Sequence, residues 1–243
     1  MNIADEGSSA HLQATVQKES VVASIKLESG IAIVNKCFSR WGLPKKIKVD
    51  NGYPFVSPGN KRVPTIAKLW WIGLGINVIQ NHPRCPQQNG IVECLQGIIC
   101  RWTGPSNHQS IEGLQKRIDE ESDFQRNDYK IPSKQNKTRI ELYPELETNP
   151  RRYTPKLFDI KRVHNFLSKK VWIRKVKKGG MTKFFNHQIW IGLKFAHQEI
   201  TITLDPIEVR WLIRTNDGTL IATSTKGIPS KQEIEKIALM SKN

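Results

Sequence analysis

The 243-residue chain has no run approaching the roughly 18 consecutive apolar residues that a membrane helix needs, and its N-terminus shows no charged-then-apolar signal pattern. Cysteine is scarce. The four at positions 37, 85, 94 and 100 include no C-x-x-C pair, which argues against a disulfide scaffold and against a structural zinc site. There is no internal repeat and no low-complexity tract. Acid is the other shortage: 22 Asp and Glu stand against 38 Lys and Arg, a formal charge of +16. With 38% hydrophobic residues and seven tryptophans, global disorder is excluded. What is left is the expectation of a reduced, intracellular, soluble and basic protein, long enough for one large domain or two small ones. The default partner of such a charge is nucleic acid.

The excess charge is concentrated. Residues 151–183 hold twelve Lys and Arg against a single acid, Asp159, a net +11 in 33 residues. The first 103 residues hold twelve basic and six acidic groups, and residues 104–150 are close to balanced. Scattered charges read as a solvated face, but charges this dense repel one another unless a polyanion is present. Tyr153 and Trp172 add aromatic faces to the run. DNA or RNA is the expected partner, with Arg151, Arg152, Lys169, Lys170, Arg174, Lys175, Lys177 and Lys178 as the candidate contacts.

Hydrophobic spacing predicts strands at 1–5 and 10–16, then a helix from a Ser20 cap to Trp41 with Val22, Ile25, Ile31, Val34, Phe38 and Trp41 on one face. Gly42 and Pro44 end it. A short strand at 46–50 runs into the turn Asp50-Asn51-Gly52, followed by a helix at 67–74, a strand at 76–79 and a loop at 81–90. Ile91, Leu95, Ile98 and Trp102 form one stripe of a further helix, and 110–127 reads as a charged helix. Alternating strands and helices make this half α/β. Residues 128–155, with prolines, asparagines and few apolar side chains, read as a linker that a protease would cut first. After Leu167 the rhythm changes to short strands at 171–177, 182–185, 188–193, 199–204, 208–214 and 219–223, with turns at Gly179-Gly180 and Asn216-Asp217-Gly218, suggesting a small barrel. Ser230 and Glu233 form a capping box for a last helix. The tryptophans at 70, 71, 190 and 211 read as core, with Trp172 the exception.

Two carboxylates stand out by placement. Asp50 ends a strand directly before a turn, where an α/β sheet presents its working groups. Glu93 sits in the first turn of a helix, opposite the Ile91–Trp102 stripe. Such groups can hold Mg²⁺, although an isolated Asp-Asn-Gly is commonly a plain turn and a first-turn Glu commonly meets the helix dipole. His82-x-x-Cys85 has no second pair and reads as loop, and neither Cys94 nor Cys100 has a His–Asp arrangement that would make it a nucleophile.

The runs Phe38-x-x-Trp41-Gly42-Leu43-Pro44, Val49-Asp50-Asn51-Gly52-x-Pro54-Phe55, Trp70-Trp71-Ile72-x-Leu74-Gly75-Ile76 and Pro86-Gln87-Gln88-Asn89-Gly90-x-x-Glu93 resemble, in that order, the integrase core of bacterial insertion-element transposases and retroviral integrases. The resemblance covers nearly the whole chain. It implies a ribonuclease-H-like α/β core with an Asp, Asp, Glu triad and two divalent ions, Mg²⁺ or Mn²⁺, performing DNA strand transfer. Asp50 matches the second Asp and Glu93 the final Glu, both as catalytic metal ligands. The basic segment and small β-barrel after Arg151 resemble the C-terminal DNA-binding part of such transposases. The implied partners are DNA, as transposon ends and target duplex, and further copies of the chain. The implied location is the cytoplasm at the nucleoid, without membrane. The resulting division is 1–127 for the core with a trailing helix, 128–165 for a basic linker, and 166–243 for the barrel with its C-terminal helix.

The match departs from the family's pattern in two places. Only two strands precede the first helix, so Asp5 resembles a non-catalytic Asp at the end of the second strand, and the first strand with its catalytic Asp is expected to be missing upstream of Met1. Three, four and seven residues after the final Glu, where relatives place basic or His side chains that meet DNA, stand Gln96, Gly97 and Cys100. The expectation is a transposase-family copy that is truncated and inactive. The rivals are a complete enzyme using Asp5, and a non-enzymatic DNA-binding remnant or regulator of a full-length relative.

Overall fold

Ten strands and seven helices form among the described residues, which are 2–6, 8–14, 27–49, 63–82 and 85–239 of a computed structural model. In chain order they are β1 (Asn2–Asp5), β2 (Ala10–Ala14), α1 (Leu27–Trp41), β3 (Lys46–Val49), α2 (Ile66–Gly73), β4 (Asn77–Gln80), α3 (Gly90–Thr103) and α4 (Ile111–Asn127). Then follow α5 (Arg139–Leu142), α6 (Ile160–Ser168), β5 (Trp172–Lys175), β6 (Met181–Phe184), β7 (His187–Trp190), β8 (Glu199–Asp205), β9 (Arg210–Thr215), β10 (Leu220–Ser224) and α7 (Lys231–Leu239). The chain is mixed α/β, and no helix among the described residues is long and apolar enough to cross a membrane. It divides into two units, one from Met1–Val56, Val78–Pro155 and Ala238–Asn243, the other from Ser57–Asn77 and Lys156–Ile237.

In the first unit β1 and β2 form an antiparallel hairpin, while β3 and β4 form a separate two-stranded sheet. No ladder joins the two sheets among the described residues. Helix α1 buries Ile31, Val34 and Phe38, the face that helical spacing predicts, whereas the Ser20 cap lies outside the described residues. Helix α4 has an exposed face of ion pairs, such as Lys116–Glu120 at 3.9 Å. Its inner face is polar and packs on β2. Gln125 Oε1 accepts the His11 N–H at 3.1 Å, Arg126 donates to the His11 carbonyl, and Gln125 Nε2 donates to the Ser9 carbonyl at 3.0 Å. The backbone of β2 at His11 therefore offers nothing to another strand on that side, which protects the sheet from edge pairing. The His11 ring, fully buried, meets Ser122 Oγ at 2.8 Å.

Residues 128–155, read above as a linker, carry short helical turns and are fastened to this unit by side chains that bond backbone. Arg139 donates to the carbonyls of Ser9 (2.9 Å) and Gln125 (3.1 Å). Asn149 Nδ2 donates to the carbonyls of Trp41 (2.9 Å) and Leu43 (3.3 Å). The Leu43 N–H donates to the Arg151 carbonyl at 2.7 Å, and the Arg151 guanidinium donates to the Pro44 carbonyl, also at 2.7 Å. A count of apolar residues misses this attachment because it is made of hydrogen bonds. Gly42 makes it possible: its φ is +79°, and a Cβ there would lie 2.8 Å from Asn149 Nδ2 and 2.9 Å from the Arg151 carbonyl oxygen.

In the second unit, β10, β9, β8 and β5 form, in that order, an antiparallel sheet. All six strands expected after Leu167 are present, within two to three residues of their predicted ends, but they do not close into a barrel. The sheet is open, with β5 and β10 at its edges, and β6–β7 is a separate hairpin. Ile200, Ile202 and Leu204 of β8 alternate inward and meet Ile213 and Trp211 across the ladder. Each such buried side chain stabilises the unit by roughly 1.5–3 kcal/mol. Val163 and Leu167 of α6 and Ile234 and Ile237 of α7 are also buried. Helix α2 packs on α6, where Phe158 stacks on Trp70 at 5.1 Å, and Gly73 leaves the room: a Cβ there would come within 2.1 Å of the Phe158 ring. Glu233 and Ser230 bond reciprocally at the start of α7, the capping box that the sequence predicts.

Two measurements check this architecture. Gly42→Ala forces a strained φ and a clash, so it should destabilise the protein by about 1–3 kcal/mol. In thermal melts its midpoint falls, and under limited proteolysis cleavage within 128–155 accelerates. Burial, aided by the Arg126 guanidinium, pushes the His11 imidazole down from 6.5 to about 4. The folded form therefore binds fewer protons than the unfolded form between those values. Stability from this group is full above about pH 6.5 and falls as pH drops toward 4, by up to about 3 kcal/mol. Denaturant midpoints measured from pH 7 to 4 should fall less steeply in His11→Gln than in the wild type.

Candidate functional site

The three carboxylates weighed above do not share one fate. Glu93 stands exposed in the first turn of α3, with no hydrogen bond or ion pair to any described residue. Leu95, Ile99 and Thr103 form the buried side of that helix, one step round from the predicted stripe, and they leave Glu93, Gln96 and Cys100 on the solvent side. Asp50 lies outside the described residues. Asp5 is spent on a turn: its Oδ2 accepts both the Ser8 N–H and the Ser8 hydroxyl, each at 2.7 Å. It sits on β1, paired to β2 and not to β3, the strand that leads to Asp50. No group of three or more His, Cys, Asp or Glu able to hold a metal ion occurs among the described residues, and His82 and Cys85 gain no further ligand there.

The candidate DNA contacts divide between the units, Arg151 and Arg152 in the first, the other six in the second. Arg151 and Arg174 have internal duties. Arg151 bonds the Pro44 carbonyl, and Arg174 lies 5.3 Å from the Phe184 ring centroid and donates to the Ile173 carbonyl at 2.8 Å. Arg152, Lys169, Lys170, Lys175, Lys177 and Lys178 are exposed, and none has a carboxylate partner among the described residues. Their isolation has a cause in the sequence, since residues 160–198 hold ten Lys and Arg and no Asp or Glu.

A contributor that sequence reasoning missed is Lys68 of α2. Its ammonium and that of Lys170 lie 5.9 and 5.4 Å from the centroid of the same Phe166 ring. Burial lowers the pKa of Lys68, and the Lys170 charge adds to that. No local signal marks this cluster, because Lys68 and Phe166 are nearly a hundred positions apart.

Trp70, Trp71 and Trp211 are core residues as expected, whereas Trp172 and Trp190 exchange the places expected of them. Trp172 is 4% exposed and packs edge-on against Phe184 and Trp211 at 5.2 and 5.7 Å, so it belongs to the core. Tyr153 is half-buried in the first unit, 5.9 Å from the Phe38 ring, and burial pushes its phenol up. Trp190, expected in the core, is 64% exposed. No protein-family model matches the chain, and no curated protein matches it.

All four cysteines are free thiols. Burial pushes Cys37 up to about 12, whereas Cys94 and Cys100 flank the Glu93 face in solvent. A thiol reagent at pH 8 should modify Cys94 and Cys100 rapidly and Cys37 only after denaturation, read residue by residue from peptide masses.

Proposed function

We propose that the chain is a DNA-binding protein of the integrase-core transposase kind, that its second unit grips the phosphates of duplex DNA, and that it performs no strand transfer by itself. The observation that carries this reading is the set of exposed cations on the second unit, Lys169, Lys170, Lys175, Lys177 and Lys178, without a carboxylate among the described residues to neutralise them. A polyanion supplies the missing counter-charge and releases its own counterions in doing so.

Two features favour the integrase-core part of the reading. The first unit carries two two-stranded sheets, and among the described residues β1 and β3 each pair with a single strand, which leaves on each an edge that a further strand of such a core would fill. Glu93 projects into solvent from the start of a helix, as a ligating carboxylate of such a core would.

The described donors do not fit a two-ion Mg²⁺ or Mn²⁺ centre. Among the described residues Glu93 is one free carboxylate and Asp5 is held by Ser8, which is less negative charge than a shared site for two divalent ions needs, and Asp50 lies outside the described residues. We therefore derive no metal-dependent step.

Titration of duplex DNA against salt tests the reading. With about five phosphates neutralised, log K should fall against log[salt] with a slope near −4 to −5. Exchanging Lys169, Lys170, Lys175, Lys177 and Lys178 for Gln should flatten it, and an unchanged slope would overturn the assignment. In the same preparation, strand transfer with Mg²⁺ or Mn²⁺ should be absent. Strand transfer that Glu93→Gln abolishes would overturn the non-enzymatic half of the proposal.

A further inference from the structure

Trp190 is the last residue of β7, directly opposite Met181 of β6. Strand alternation sorts the hairpin into two faces. Thr182, Phe184 and Ile189 turn inward and are buried, while Met181, Lys183, Gln188 and Trp190 turn to solvent. The indole is thus 64% exposed beside a 39% exposed Met181, and Leu193 nearby in sequence is 68% exposed. Leaving an indole in water keeps a large apolar area from burial. The position is also rigid. The N–H groups of Ile191 and Gly192, the two residues after Trp190, both donate to the Gly180 carbonyl at 2.8 and 3.1 Å. The indole reaches over Gly192, where a Cβ would come within 4.0 Å of its Cη2.

The surroundings select the occupant. Lys177 and Lys178 lead into β6, and the Lys177 N–H donates to the Met181 carbonyl at 2.7 Å. Lys183 shares the outward face, and Lys194 follows the hairpin. With no acid anywhere in residues 160–198, an apolar protein surface would have to bring its own negative charge to this rim. A nucleic acid brings an aromatic face and a phosphate on every nucleotide, and stacking on an exposed ring needs no particular sequence.

We propose that Trp190 is a stacking platform for an unpaired base, so that the second unit holds single-stranded DNA in addition to duplex. The inference rests on the DNA-binding reading above and names a further class of substrate for it. Lys177, Lys178 and Lys183 hold the phosphates on either side of the stacked base, and the rigid end of β7 presents the indole already in place. A duplex keeps its bases stacked on each other and meets only the lysines.

The full chain, an unstructured thymidine oligonucleotide and a duplex of equal length test this. Trp70, Trp71, Trp172 and Trp211 are buried, so acrylamide quenching of intrinsic fluorescence reports largely on Trp190, with smaller parts from the half-buried Trp41 and Trp102. The oligonucleotide should protect the fluorescence from acrylamide and the duplex should not. Trp190→Ala should weaken oligonucleotide binding about 5- to 100-fold while changing duplex affinity less than twofold. Trp190→Phe should recover most of the loss and Trp190→Leu little of it. Equal loss for both DNAs, no loss for either, or Leu performing as well as Phe would overturn the stacking role. The last of these outcomes would point to an apolar protein contact. Duplex binding with a steep salt slope alongside an inert Trp190→Ala overturns this inference alone. A wild-type chain that binds neither DNA overturns it together with the DNA-binding reading.

Discussion

Ten cations in residues 160–198 have no carboxylate in that stretch, and the second unit folds under this constraint. Like charges can be tolerated only if each reaches water, so the strands must keep lysines on one face and fill the other with groups that need no counter-charge. Strand β5 does this with Trp172 inward and Ile173 and Lys175 outward, and β6 does it with Phe184 and Thr182 inward and Lys183 outward. The interior is correspondingly aromatic. Trp172, Phe184, Phe185 and Trp211 meet at ring separations of 4.9–6.1 Å. Arg174, the cation on the inward side of β5, is accommodated over the Phe184 ring. Exposed lysines and an interior of rings are thus the two faces of the same short strands.

The first unit is held by different means. Its charges are closer to balance, and the contacts between distant segments run from side chains to backbone: Gln125 and Arg126 to β2, Arg139 to Ser9 and Gln125, Asn149 and Arg151 to the turn after α1. Hydrogen bonds of this kind contribute about a kilocalorie per mole each and depend on their partners staying in place. Arg126, 1% exposed and paired with Asp123, is the costliest member, since losing its partners would leave a buried charge. A unit sealed in this way tolerates two short, separate sheets because the side of β2 that faces α4 is already satisfied at His11.

Local chemistry alone made much of this legible. Period and turn residues located the helices at α1, α2, α3 and α4 and all six strands of the second unit. Gly42, Gly180 and Gly218, read as helix end and turns, have φ of +79°, +71° and +89°. Ser230 and Glu233 bond as their spacing predicts. These features depend on residues within a few positions of one another, and nothing distant competes with them. Glu93 was placed on the solvent side of its helix for the same reason, by 3.6-residue geometry.

Only the tertiary structure decided which residues are free to act. Trp172 and Trp190 both lie in short strands among lysines, and no local pattern says which faces the core. The choice falls to Trp211 and Phe184, which enclose Trp172 and leave Trp190 outside. Arg151 and Arg152 are adjacent and chemically alike, yet a carbonyl more than a hundred positions away takes one and leaves the other in water. Asp5 has the chemistry of a metal ligand, and the fold commits its Oδ2 to the N–H and hydroxyl of Ser8 at the end of β1. Charge and periodicity are written in neighbouring residues. Engagement is a property of partners far apart in the chain, and those meet only when it folds.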